Sequence, residues 1–130
     1  MKVLSIKASG KVSTIKIMTQ RDNEVALDDI KKLMTSRIGM VLANKISRLA
    51  YLYIMFVEKD AQTKQLPTNM AATVLLNDDV GLVRGDVILV RTNHFGSGAK
   101  FFTLDDSEIK AIVEKMSTLY GSKIELSDPR

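Results

Sequence analysis

Residues 49–57 read Leu-Ala-Tyr-Leu-Tyr-Ile-Met-Phe-Val, an unbroken apolar and aromatic run closed by Glu58-Lys59-Asp60. A short run that is apolar on both faces and ends in a charged turn suits a central strand covered from both sides. A buried helix is the competing reading, because so short a run carries no periodicity to separate the two. Toward the start, Lys2–Ala8 and Val12–Thr19 alternate apolar and polar residues, with Leu4 and Ile6 in the first and Ile15 and Ile17 in the second. That period of two is the pattern of half-buried strands, and Ser9-Gly10-Lys11 between them reads as a hairpin turn. Lys7 and Lys16 then fall on the solvent face.

From Leu27 the spacing changes to that of a helix. Leu27, Ile30, Leu33 and Met34 form its stripe, Asp28 and Asp29 stand early and Lys31 and Lys32 late, and Gly39 offers a stop. Met40–Ile46 alternates loosely. Beyond the central run, Leu66–Leu76 predicts a short helix capped by Thr68 or Asn69 and closed by Asn77-Asp78-Asp79. Val83–Arg91 reads as a turn feeding a further buried strand, residues 93–100 as a flexible loop, and Phe101-Phe102 as a resumption of pairing. Thr103-Leu104-Asp105-Asp106 opens the clearest helix, with Ile109, Ile112, Val113 and Met116 as its stripe and Gly121 at its end. Residues 122–130 are expected to be a frayed tail. The order ββαββαβ(β)α implies a single α+β domain over residues 1–130, with a mixed or antiparallel sheet and helices packed on one face. Strands and helices do not alternate one for one, which disfavours a doubly wound nucleotide fold.

Composition narrows the chemistry. The chain has 130 residues, 45% hydrophobic and 26% charged, which is ordinary globular usage. It has no cysteine, so disulfides, thiolate metal sites and cysteine nucleophiles are excluded, and one histidine, His94, which excludes multi-histidine metal sites. The longest apolar run is about half what a membrane-spanning helix needs, and the opening Met1–Lys7 carries charges where a secretory signal would be apolar. A cytoplasmic protein without membrane association is expected, with no cofactor and no metal. The net charge of +4 is uneven: residues 1–48 hold ten basic and four acidic side chains, residues 49–130 nine and eleven. A basic half can face a polyanion, although its lysines are scattered and aromatic residues make up only 5% of the chain, too few for a base-stacking platform.

The stretch from Tyr53 to Arg91 resembles a small domain family of unknown function found in bacteria, phages and large DNA viruses. The residues that carry the resemblance are Val57-Glu58 with the acidic turn after it, Leu66-Pro67-Thr68-Asn69 followed by Met70-Ala71-Ala72-Thr73, and Val83-Arg84-Gly85-Asp86-Val87-Ile88-Leu89-Val90. The helix start Thr103-Leu104 is similar as well. The chain departs from the family pattern at Gly39–Ile46, where a glycine-rich turn followed by Ile-Glu would be expected and no glutamate stands. The resemblance implies a viral or mobile-element origin rather than an activity.

Each candidate for chemistry has a structural competitor. Phe95-Gly96-Ser97-Gly98 beside His94 lacks the spacing of a nucleophile elbow, and no Gly-rich signature ending in Lys-Ser/Thr precedes Lys100, so a loop is the simpler reading. The pairs Asp28-Asp29, Asp78-Asp79 and Asp105-Asp106 lack the alternating ligands of a calcium loop and suit helix ends and turns. Asn69 suits a helix cap, Asp86 a turn, Arg84 and Arg91 the two ends of a strand, and Tyr51 and Tyr53 a core face. The expected function is therefore a small non-enzymatic viral or phage-type accessory protein that binds a macromolecular partner, most simply another protein. The residues offered to that partner are Lys7, Lys11, Lys16, Asn69, Arg84, Arg91, His94 and Lys100. The alternatives are a nucleic-acid or nucleotide binder using the same cations, a virion structural protein whose first two strands pair edge to edge into a homodimer, and a metal-dependent hydrolase built on Asp86 or the acidic pairs.

Overall fold

The computed structural model describes residues 2–19, 21–34, 37–43, 45–46, 52–76, 81–94 and 96–127. Strand β1 (Lys2–Ile6) and strand β2 (Val12–Lys16) form the expected hairpin, in register from Lys2↔Lys16 to Ile6↔Val12. The turn closes through Lys7 N–H to Lys11 C=O at 2.9 Å and Gly10 N–H to Lys7 C=O at 2.9 Å. Gly10 adopts φ +93°, a left-handed conformation open to glycine at little cost. Two-residue strand β3 (Glu24–Val25) leads into helix α1 (Leu27–Met34), and strand β4 (Ile38–Leu42) follows it. The decisive apolar run is a strand: β5 occupies Leu52–Glu58, while Leu49–Tyr51 lie outside the described residues. After helix α2 (Met70–Thr73) come strands β6 (Val87–Thr92) and β7 (Phe101–Phe102), helix α3 (Asp106–Tyr120) and strand β8 (Leu126–Ser127).

All eight strands belong to one mixed sheet, antiparallel except where β8 joins β2. Strand β6 is its hub. One edge is paired with β5 from Leu52↔Thr92 to Phe56↔Ile88, and the other is shared, with β1 beside Val87–Leu89 and β7 beside Arg91–Thr92. Strand β4 lies outside β5, and β3 pairs with β7. The α+β class read from the sequence holds.

Alternate residues of the central strands feed separate cores. Leu4, Ile6, Tyr53, Met55, Val87 and Leu89 point to one side, where Ala72 and Leu75 near α2 and Ile109, Ile112 and Met116 of α3 cover them. Val3, Ile54, Phe56, Ile88 and Val90 point to the other, where Ile30 of α1, Val25 and Phe101 cover them. Phe56 and Phe101 meet edge to face at 5.0 Å. The helices therefore lie on both faces, not on the single face expected from the sequence. The strands are apolar on both sides, and α1 is needed to close the second core; burying each large side chain there contributes about 1.5–3 kcal/mol.

Two smaller expectations also give way. Gly39 is not a helix stop but pairs with Val57 inside β4. The segment after α3 is not frayed through its described length. Ser117 Oγ accepts from Ile124 N–H at 2.9 Å, and Leu126 and Ser127 pair with Val12 and Ser13. Residues 128–130 lie outside the described set.

Candidate functional site

The start of α3 gathers the most polar chemistry in the sheet's interior. Asp105 caps the helix: its Oδ1 accepts from Glu108 N–H at 2.7 Å while Glu108 Oε1 accepts from Asp105 N–H at 3.0 Å. Glu108 is only 3% exposed. Its Oε1 also faces Arg91 Nη1 at 3.4 Å, and its Oε2 accepts from Tyr53 O–H at 2.7 Å. Arg91 lies over the Phe102 ring, 5.6 Å from its centre. A 400 Å³ cleft lined by Lys2, Asn23, Thr103 and Asp106 adjoins this cluster. Both carboxylate oxygens are committed to donors, so Glu108 ties α3, β5 and β6 together rather than presenting a free base to the cleft.

The residues proposed from sequence are scattered among structural duties. Asn69 is fully buried; its Oδ1 accepts from Ala72 N–H at 3.1 Å, and its Nδ2 donates to Ile6 C=O at 2.8 Å and Gly85 C=O at 2.9 Å. It is a cap that also pins the end of β1 to the turn before β6. Arg84 donates to Leu66 C=O at 3.1 Å. Asp86 accepts from Ala8 N–H at 2.9 Å, a turn role in keeping with the sequence.

The 93–100 loop is bonded to itself. His94 Nε2 meets Ser97 C=O at 2.7 Å, Asn93 Oδ1 accepts from Lys100 N–H at 2.8 Å, and Thr92 Oγ1 lies 2.9 Å from His94 C=O and 2.8 Å from Lys100 C=O, with one hydroxyl proton to donate between them. Phe95 lies outside the described residues, as do Tyr51 and the pair Asp78-Asp79. Lys7 and Lys11 sit at the turn of the first hairpin, but Lys16 is at its far end opposite Lys2, roughly 15 Å away along the strands. The three lysines do not make one basic face.

A larger concavity lies elsewhere, a groove of about 970 Å³ between α3, β2 and the segment leading to β8. Its apolar floor is Ile109, Val113, Ile124 and Leu126, with the buried Thr14 of β2 at its side. Its charges balance: Lys2, Lys110 and Lys123 against Asp106, Glu114 and Glu125. The hairpin register directs the backbone groups of Lys7, Ser5 and Val3 at their partners on β2, so on β2 it is Val12, Thr14 and Lys16 whose N–H and C=O point outward. Strand β8 covers only Val12 and Ser13, and among the described residues no strand lies beside β2 beyond them. Among the described residues, the groove is thus bounded by a stretch of sheet edge with no strand beside it.

Set against family models, curated proteins and solved structures, the chain matches none of them. Among the described residues no cluster of three or more histidine, aspartate or glutamate side chains is placed to hold a metal ion, and no helix is long and apolar enough to cross a membrane.

Sequence reasoning missed both the Glu108 cluster and the groove. Glu108 carried one signal, its place three residues after Asp105, which marks a capping box; nothing linked it to Tyr53 or Arg91 on distant strands. The groove depends on where β8 ends, and the pairing of β8 is a tertiary fact.

Proposed function

We propose that this chain is a non-enzymatic accessory protein of the cytoplasm that binds a partner protein, taking an extended segment of it into the groove between α3 and β2. The observation that carries this reading is the edge of β2 at Thr14–Lys16, beside which no strand lies among the described residues, next to an apolar floor. An added strand gains main-chain hydrogen bonds from Thr14 and Lys16 while alternate side chains reach Val113 and Leu126. Balanced charge on the groove suits a peptide of mixed sign and gives a polyanion no net attraction. The dispersal of Lys7, Lys11 and Lys16 and the internal engagements of Arg84 and Arg91 weigh the same way against the nucleic-acid reading.

The test is a peptide library selected on the full chain, followed by a heteronuclear NMR titration with a selected sequence. Signals of Thr14, Lys16, Val113 and Leu126 are expected to shift, and Val113→Glu, with its fold verified by circular dichroism, to weaken binding about tenfold or more. Peptide-induced shifts elsewhere would refute the groove. Shifts of Lys7, Lys11 and Lys16 on adding oligonucleotides, lost steeply as salt rises, would replace this reading with nucleic-acid binding.

A further inference from the structure

At the opposite end of the strand order from the groove, β4 presents a second open edge. It pairs with β5 on one side, and among the described residues nothing pairs with it on the other. Its sequence is Ile38-Gly39-Met40-Val41-Leu42, with no charge and no proline. Natural sheets usually protect an edge with a lysine, a proline or a bulge, and β4 has none of these within its length. Arg37, the charge that precedes it, is directed to Asp60 at 3.8 Å.

The register fixes which backbone groups are offered. Arg37 C=O accepts from Lys59 N–H and Ala43 N–H donates to Tyr53 C=O, both at 2.9 Å, so the odd-numbered residues of β4 bond inward to β5. In an antiparallel pair the next residue points its groups the other way. Ile38, Met40 and Leu42 therefore direct their N–H and C=O outward. Their cross-strand partners Glu58, Phe56 and Ile54 place the same three side chains on the α1 side of the sheet. There Met40 is 43% exposed and Leu52, two residues before Ile54, 37% exposed. An apolar strip thus runs alongside the unpaired edge.

We propose that this edge binds a second copy of the chain, β4 against β4 in antiparallel orientation, about a two-fold axis at Met40. The pattern is self-complementary. With Met40 opposite Met40 and Ile38 opposite Leu42, each outward N–H meets an outward C=O, about six hydrogen bonds in all. Every opposed pair is apolar or neutral, so no like charges meet. A shift of two residues either way leaves one end of each strand unmatched. The two apolar strips become neighbours on one face of the continuous sheet. An interface built on so short a strand is below the usual area of a stable complex, and association in roughly the micromolar range is expected. This inference does not rest on the groove and stands or falls separately from it.

Sedimentation velocity on the full chain from about 1 to 300 µM tests the association. The mass is expected to rise from 14.4 kDa toward that of two chains. Met40→Lys and Met40→Glu each set like charges face to face at the axis and are expected to weaken association roughly tenfold or more. An equimolar mixture of the two is expected to restore it, which a general loss of edge character would not do. Amide hydrogen exchange on the unmutated protein keeps the proposal testable even if neither variant folds. Met40 and Leu42 amides should gain protection with concentration, while those of Gly39 and Val41, bonded inward, are protected at every concentration. A mass fixed at 14.4 kDa, unchanged association in both variants, no recovery in the mixture, or no concentration dependence at Met40 and Leu42 would each overturn it.

Discussion

Replacing Asn69 by alanine separates its structural role from any ligand-binding one. The side chain makes three hydrogen bonds at zero exposure: the acceptor bond from Ala72 N–H and the two donor bonds to Ile6 C=O and Gly85 C=O. Losing the cap costs about 1 kcal/mol. Each carbonyl left without its donor in the interior costs about 1–3 kcal/mol more. Water entering the space vacated by the amide offsets part of this, which places the total at about 3–5 kcal/mol. That is a large share of the ~5–15 kcal/mol by which a domain is usually stable. Urea unfolding followed by far-ultraviolet circular dichroism reads it, since the chain has no tryptophan. The midpoint is expected to fall by about 2 M or more, at a slope of roughly 1.5 kcal/mol per M. Asn69→Asp sharpens the result. It keeps the acceptor for Ala72 N–H, but when ionised it sets a carboxylate against two carbonyl oxygens. Folding then favours the protonated form of that carboxyl, so the deficit against the unmutated protein should be smaller at pH 4 than at pH 7. A loss below about 1 kcal/mol for Asn69→Ala, as for an exposed cap, would refute the two donor bonds and return Asn69 to the ligand-binding candidates.

Three further outcomes follow from the same geometry. Tyr53→Phe removes the O–H that Glu108 Oε2 accepts and should cost about 1 kcal/mol in thermal or urea unfolding, whereas Glu108→Ala, which also breaks the capping box and the Arg91 pair, should cost about 3 kcal/mol or more. Gly85→Ala should destabilise more than Gly10→Ala: both sit at positive φ, but only at Gly85 would the new Cβ come within 2.9 Å of Leu66 Cδ1. The backbone term alone is about 1 kcal/mol, and comparable melting temperatures for the two would show that Leu66 yields freely. Ser117→Ala removes the hydroxyl that holds Ile124, so amide exchange at Ile124–Ser127 should accelerate while the middle of α3 is unchanged.

Local signals carried much of the fold. The alternation of Leu4 and Ile6 with Ser5, and Gly10 between two such runs, were enough for the first hairpin. Asp105 with Glu108, an apolar stripe and Gly121 were enough for α3, and Asn69 announced itself as a cap. What failed depended on tertiary placement. Gly39 stands where a helix from Leu27 would stop, yet pairing with Val57 recruits it into a strand. Helix α1 carries an ordinary apolar stripe that says nothing about which side of the sheet it covers. The eight residues proposed for a site were chosen as polar groups at turns and strand ends. Those are also the groups a fold uses for its own hydrogen bonds, and Asn69, Arg84, Arg91 and His94 are used that way. The groove and the β4 edge are defined by where pairing stops, which no single segment encodes.

The position of β1 has a consequence for how the protein is made. It lies between β2 and β6, and is translated well before the second of these partners, which is encoded roughly 80 residues later. At ordinary elongation rates the nascent hairpin waits about 4–16 s for Val87–Leu89 to emerge. Through that interval Val3, Leu4 and Ile6 are uncovered on both sides of a ribbon with a bare edge. Completion of the sheet around β1 is thus deferred until β6 has emerged, and until then the ribbon's edge is open to pairing with a wrong neighbour.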